Sequence, residues 1–367
     1  MSVVIDGTSG VTFNDLSLQG AAASPYVLKN RIINGAMIIN QRNWTGTVVT
    51  DGTYTLDRFV AFSSVASKYS VSQNAGSVTP PTGFSNYLGV TSLAATTLAA
   101  GDYYMITQYI EGYNIADLAW GTANAKTVTL SFQVYSSLTG TFGGVVGGNN
   151  NPAYPFTYTI STANTWTTIS ITVAGPTTGT FNSTTGRGMN IHFGLGVGST
   201  YSGTAGAWSS NTYYSATGAV SVVGTNGATF YITGVQLEIG STATPFERRL
   251  FSTELANCQR YYFRKGGSSV YEMIADCIAS GTTNIQGSVK LPVTMRVAPT
   301  SMDYSTLLFS DQVNAGITPS SITLITSSTG KNDGYVQGAV TGATSLRPYQ
   351  LLTNNSTNGY IGFSAEL

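Results

Sequence analysis

The sequence holds a single histidine, His192, so any Ser–His–Asp arrangement would have to use it as the base. It stands between Ile191 and Phe193 in a run from Met189 to Val197 where apolar and polar residues alternate. That spacing puts it on the polar side of a strand, as a surface or interface residue. The two cysteines, Cys258 and Cys277, have no CxxC partner, and with one histidine they cannot build a zinc site. They read as buried free thiols. The glycine clusters read as turns, since no GxGxxG opens a helix and no phosphate-binding loop follows a strand. Glycoside hydrolysis needs only two carboxylates. The candidates by proximity are Asp51 with Asp57 and Glu272 with Asp276, and neither pair sits in a recognisable setting. Asn332-Asp333-Gly334 could turn around a calcium ion, but the ligand spacing of a calcium loop is missing. The expectation is therefore a chain that is not an enzyme and needs no cofactor.

Aromatic residues offer the more promising chemistry. Tyrosine is abundant at 22, beside 15 Phe and 4 Trp. Tyrosine brings a rigid apolar face and a polar tip, which suits stacking on sugars with hydrogen bonding at the edge. Tyr201, Trp208, Tyr213 and Tyr214 fall in a Gly/Ser/Asn-rich stretch that reads as one long loop, and are the glycan-binding candidates. The alternative is that these rings pack on their own sheet or a neighbouring subunit. Trp44, Trp120 and Trp166 read as core or sheet-edge residues.

Composition narrows the class. Sixteen basic residues balance sixteen acidic ones, and charged residues are only 9 % of the chain, against roughly 25 % in an ordinary domain. Nucleic-acid binding needs a basic stripe that this balance cannot supply. A hydrophobic share of 42 % argues against disorder. No apolar run is long enough to cross a membrane as a helix, so membrane insertion is not expected. The first residues lack the basic and apolar segments of an export signal, which points to synthesis and assembly in a cytoplasm.

The elements that would position these residues are strands. Val128 to Val134, Ile169 to Val173 and Met189 to Val197 alternate strictly, the mark of half-buried antiparallel strands. Residues 29–246 thus read as a two-sheet β-sandwich or jelly roll. Phe230 and Ile232 share a face with Val235, Leu237 and Ile239 only if the strand shifts register, so a bulge is expected at Gly234. Residues 247–265 concentrate charge (Glu247, Arg248, Arg249, Glu254, Arg260, Arg264, Lys265) and read as a short amphipathic helical linker held by local ion pairs, capped by Thr253 and beginning at Glu254. Its charges are either solvated or pack it by salt bridges against its neighbours or another subunit. Residues 266–367 read as a smaller β domain. Residues 1–28 suggest two or three short strands and a Gly20–Pro25 linker, too little to form a core alone.

Several blocks resemble those of bacteriophage and prophage tail-fibre-like proteins. They are Asn30-Arg31-Ile32-Ile33-Asn34-Gly35-Ala36-Met37, Asn40-Gln41-Arg42, Leu56-Asp57-Arg58-Phe59, Ile232 to Gly240, Ala243 to Arg249, Glu254 to Tyr262 and Leu291 to Thr300. The resemblance implies a jelly roll similar to carbohydrate-binding modules, with an opening strand around Asn34-Gly35 beside a closing strand from Val235 to Ile239. It implies a possible structural calcium near those strands, with Asp57 and Glu238 as the acids to inspect. Phe59 stands where relatives often carry Trp. The implied role is a non-enzymatic virion protein, a homotrimeric tail fibre attached to another virion protein through residues 1–28 and recognising a host-surface glycan. A capsid-decorating or head fibre protein is the alternative, and a glycan depolymerase a more distant one.

Overall fold

The computed structural model describes residues 4–6, 10–12, 18–19, 29–147 and 152–367. At the start, β1 (Val4–Asp6), β2 (Gly10–Thr12) and β3 (Leu18–Gln19) form an antiparallel three-stranded sheet. The Gly20–Pro25 segment lies outside the described residues.

Two six-stranded antiparallel sheets follow. Their strands are β4 (Thr47–Val48), β5 (Thr53–Tyr54), β6 (Phe59–Ser63), β7 (Tyr69–Gln73), β8 (Leu88–Ser92), β9 (Tyr103–Glu111) and β10 (Val128–Ser136). Then come β11 (Gly140–Gly147), β12 (Ala153–Ile160), β13 (Thr167–Val173), β14 (Arg187–Val197), the short β15 (Ser202–Gly203) and β16 (Ser215–Ala216), and β17 (Thr229–Ile239). One sheet runs β13-β10-β17-β8-β7-β4 and the other β12-β11-β14-β9-β6-β5. This is the two-sheet sandwich the alternation predicts, a jelly roll as the resemblance implies, and all its long strands pair antiparallel. Met189, Ile191, Phe193 and Leu195 of β14 enter the core between the sheets, as do Leu130, Phe132 and Val134 of β10. The residues between them therefore face outward.

The bulge expected at Gly234 is present. Ser131 pairs with Gln236 but Gln133 pairs with Thr233, so β17 carries one extra residue there, and Gly234 adopts φ 62°. The opening segment does lie beside β17, but among the described residues it forms no regular strand. Arg31 N donates to Leu237 O and Val235 N donates to Gly35 O. Between these two bonds the Asn30 side chain replaces the ladder: its Oδ1 accepts from Leu237 N and its Nδ2 donates to Val235 O. Only glycine fits at position 35, where a Cβ would lie 2.1 Å from Val235 O.

After β17 the helix α1 (Phe251–Gln259) leads to β18 (Tyr262–Gly266). The later strands are β19 (Met273–Ala279), β20 (Asn284–Lys290), β21 (Ser301–Ser305), β22 (Leu307–Ser310), β23 (Ser321–Leu324), β24 (Asp333–Ala339), β25 (Pro348–Thr353) and β26 (Tyr360–Ser364). They form a three-stranded sheet, β18-β26-β21, and a six-stranded sheet, β22-β25-β19-β20-β24-β23, around a separate hydrophobic core.

Of the two readings of the charged window, the structure shows the packed one, with salt bridges to neighbouring elements. The helix starts at Phe251, not Glu254, and Thr253 does not cap it; among the described residues no side chain caps its N-terminus. Tyr262–Gly266, read above as the end of the linker, is a strand paired with β26. The charges are spent on tertiary contacts. Glu254 accepts from Asn34 N and from Arg249, which also reaches the carbonyls of Asn30 and Ile32. Arg260 forks onto Glu111 at 2.9 and 2.6 Å, and Tyr261 Oη donates to the same carboxylate at 2.7 Å. Glu366 pairs with the fully buried Arg58 and with Arg42. Those two guanidiniums lie over the rings of Tyr261, at 3.5 Å, and Tyr262, at 3.7 Å. Arg296 donates to the carbonyls of Thr185, Ala365 and Glu366. A small apolar cluster of Ile33, Ile39, Cys258 and Tyr261 sits beneath. Both cysteines are buried free thiols.

Candidate functional site

The outward face of the sheet containing β9 and β14 is unusually polar and aromatic for a surface that is largely covered. From β9 come Tyr103, Met105 and Tyr109; from β14 come Arg187, Asn190 and His192; Phe62 and Val145 join from β6 and β11. The segment after β14 folds back over this face. β15 and β16 pair in parallel, and Ser215 settles onto the sheet above Gly143 and Gly194. A Cβ at either glycine would come within 2.6 Å of the Ser215 hydroxyl, so these two outward glycines let the segment lie flat.

The returning segment brings Thr212, Tyr213 and Tyr214 over the face and closes a pocket of about 470 Å³. Tyr214 is held in place on several sides. Its N–H donates to Tyr201 O at 2.8 Å, and its ring stacks on Tyr201 at 4.9 Å. Tyr103 meets both rings edge-on, at 5.5 Å for Tyr214 and 5.8 Å for Tyr201. Tyr213 accepts a hydrogen bond from Asn211 at 2.9 Å. At one end of the pocket Asp51 accepts from Ser63 N and from the Tyr103 hydroxyl. At the other end Arg187 lies 3.6 Å over the Tyr109 ring.

Burial sets the protonation states. It raises the hydroxyls of Tyr103 and Tyr214 above the usual tyrosine value and pushes Tyr109 up to about 12. These hydroxyls stay neutral at physiological pH. His192, expected at a surface, is instead buried under Tyr214, and its Nδ1 shares a 2.7 Å hydrogen bond with Thr107 Oγ1. Burial, with some repulsion from Arg187, holds it down to about 3. The imidazole is therefore no general base at neutral pH. Asp51 is the one carboxylate lining the pocket among the described residues. What this surface offers is rings to stack on and fixed polar groups to orient a ligand.

His192 has a consequence for stability. Between pH 6.5 and about 3 the unfolded chain binds a proton there that the native state does not, so stability rises with pH across that window. Stability should fall as pH drops below 6.5, by up to about 1.4 kcal/mol per pH unit from this one group. Urea unfolding between pH 6.5 and 5, above the usual carboxylate range, should show stability rising with pH more steeply in the natural chain than in His192→Gln. An unchanged slope in the variant would show that the imidazole is not kept neutral.

The structure treats the sequence candidates differently. Tyr213 and Tyr214 line the pocket, and Tyr201 buttresses Tyr214 from behind. Trp208 follows the alternative, packing on its own sandwich. Its ring packs among Trp120, Tyr154 and Phe181, and its Nε1–H donates to Ala174 O at 2.7 Å, so the indole serves packing. Asp57 and Glu238 do not fit calcium. Asp57 accepts two hydrogen bonds from Gln41, and burial, its largest influence, raises its carboxyl above the usual range. Glu238 accepts from Gln236 and twice from Thr244, with Lys29 nearby at 3.9 Å. The two acids share no partner, and among the described residues no three His, Cys, Asp or Glu side chains gather into a metal site. Asp51 and Asp57 likewise take different partners. Glu272 is occupied with the turn at Ser268-Ser269.

Sequence reasoning missed Tyr103, Tyr109 and Arg187. The signal was available in β9, where Tyr104, Ile106 and Ile110 point inward and Tyr103, Met105, Thr107 and Tyr109 take the opposite side.

No protein-family model matches this chain, and no curated protein matches it. Among solved structures it is similar to the enzymatically active domain of tailspike protein 4 of bacteriophage CBA120, at 16 % identity and a TM-score of 0.29, over 60 % of this chain. It spans only 22 % of that domain's length. It is also similar to a family 4 carbohydrate-binding module (17 % identity, TM-score 0.28, 56 % of this chain and 98 % of that one). The module TmCBM61, solved with β-1,4-galactotriose, is a further likeness (7 % identity, TM-score 0.29, 58 % and 99 %). At these scores the likenesses add nothing to what the strand order already says of the fold.

Proposed function

We propose that this chain is a non-enzymatic structural protein of a phage tail fibre, and that it holds a host-surface glycan in the pocket beneath Tyr213 and Tyr214. One observation carries the binding role: a preformed pocket of about 470 Å³ on the sandwich, walled by tyrosines and edged by fixed polar side chains. Rings match the apolar faces of a sugar, and Asn190, Thr212 and Asp51 match its hydroxyls. The single carboxylate favours holding a glycan over cleaving it, because hydrolysis by the usual route takes two. The tail-fibre setting, the trimer and the attachment through residues 1–28 rest on the sequence resemblance. The sheet of β1–β3, with strands of only two or three residues, buries too little surface to be stable alone, which supports a partner for it.

The test uses the full chain. Light scattering should give three times the 38.4 kDa chain mass. Incubated with a panel of bacterial surface polysaccharides, the protein should retain at least one without shortening it or releasing new reducing ends. A monodisperse monomer would overturn the trimer. Release of reducing ends would replace the binding reading with an enzymatic one, and retention of no saccharide would remove the glycan.

A further inference from the structure

Resting on that reading of the pocket, we propose that its ligand is an acidic saccharide whose carboxylate pairs with Arg187. Among the described residues the Arg187 side chain makes no hydrogen bond and no ion pair, and its Nε is buried without a partner. Its recorded contact is the face of Tyr109, at 3.6 Å. Other guanidiniums hold carboxylates, among them Arg31 with Asp117, Arg58 with Glu366, Arg249 with Glu254, Arg260 with Glu111 and Arg347 with Asp311. Arg248, like Arg187, lies against rings, those of Phe84 and Phe246, but lines no wall of this pocket.

Neither nearby acid serves Arg187. Glu111 is its register partner across β9 and β14, yet that carboxylate is taken by Arg260 and Tyr261. Asp51 lies beside Tyr103, at the opposite end of β9, and both its oxygens accept from Ser63 N and Tyr103. A half-buried cation without a counter-charge is costly to keep. The planar fork of donors, held over the Tyr109 ring, matches a carboxylate in two-point contact. The ligand would thus lie with its carboxylate at the Tyr109 end and its hydroxyls at the Asp51 end.

The experiment is calorimetric titration of the full chain with three carboxylate-bearing oligosaccharides: an oligogalacturonate, an oligomannuronate and an α-2,8-linked sialic acid oligomer. Each is run beside its carboxyl-reduced, neutral form. At least one acid should bind 30-fold or more tighter than its neutral form, and which one does distinguishes a uronic from a nonulosonic source. Arg187→Ala should erase that ratio and Arg187→Lys restore part of it, with unfolding curves confirming that both variants fold. Equal binding of acidic and neutral forms, weakened by Tyr214→Ala, would overturn the acidic class and leave the pocket standing. Binding untouched by Tyr214→Ala, or none to any of the six, would overturn this proposal too, the former by moving the ligand out of the pocket.

Discussion

Replacing Glu366 by alanine should cost about 3–5 kcal/mol of stability, the usual penalty for stranding one member of a buried ion pair. Glu366 sits between Arg58, which is 1 % exposed, and Arg42, which is 14 % exposed. Both guanidiniums are pinned flat on Tyr261 and Tyr262 and cannot swing to water without breaking those contacts. Arg58 is further fixed by its bond to Tyr109 O, and it holds a left-handed backbone at φ 69°. Removing the carboxylate therefore leaves two covered guanidiniums without their ion-pair partner, with the buried Asp57, already engaged by Gln41, as the acid that remains near both. Glu366→Gln, which keeps an acceptor but loses the charge, should fall between the natural chain and the alanine variant. The measurement is urea unfolding followed by near-ultraviolet circular dichroism, which senses the tyrosines at this junction. A loss below about 1 kcal/mol would show that the pair is solvated and that the two β units are not locked together here.

Replacing Tyr214 by alanine should weaken glycan binding by about 30- to 100-fold, the scale of a central aromatic anchor worth 2–3 kcal/mol. The ring is both a wall of the pocket and the piece that Tyr201, Tyr103 and His192 grip. Its loss removes a stacking surface and frees the returning segment. Tyr214→Phe should retain most of the affinity, because the ring does the stacking. Trp208→Ala should behave in the opposite way. It should destabilise by about 1–3 kcal/mol, less than for a fully buried aromatic because the indole is only partly covered, while the folded fraction binds as before. Titration of both variants against the best-retained saccharide, beside their unfolding curves, separates the two roles. Equal affinity loss in both would mean that the Trp208 cluster also belongs to the binding surface.

The contrast between those two rings shows where the sequence stops being legible. The strands of the sandwich and the shift at Gly234 follow from alternation within one short stretch, so local pattern suffices. Tyr201, Trp208, Tyr213 and Tyr214 share one Gly-rich stretch, but their fates depend on what lies across the sheet. Trp208 finds Trp120 and Phe181, whereas Tyr214 finds Tyr103 and His192. No spacing within the loop encodes that choice. The charged window is ambiguous in sequence for a related reason. Its charges could equally be solvated, yet Arg264 lies over the Tyr360 ring and Lys265 donates to Ile274 O. The first turn of α1 is held by Glu254 meeting Asn34 and Arg249, partners in tertiary contact, so the local capping rule placed its start three residues late.

The central claim is that a glycan sits on the β9–β14 face, beneath Tyr213 and Tyr214. The most direct measurement is a crystal structure of the full chain with the tightest-binding oligosaccharide of the panel. The predicted result is sugar density in the pocket, with one ring against Tyr214 and the chain running between Asp51 and Arg187. The other sheet carries a rival groove of about 440 Å³ lined by Phe84, Gln133, Thr168 and Phe246. Density there, with the first pocket empty, would contradict the account.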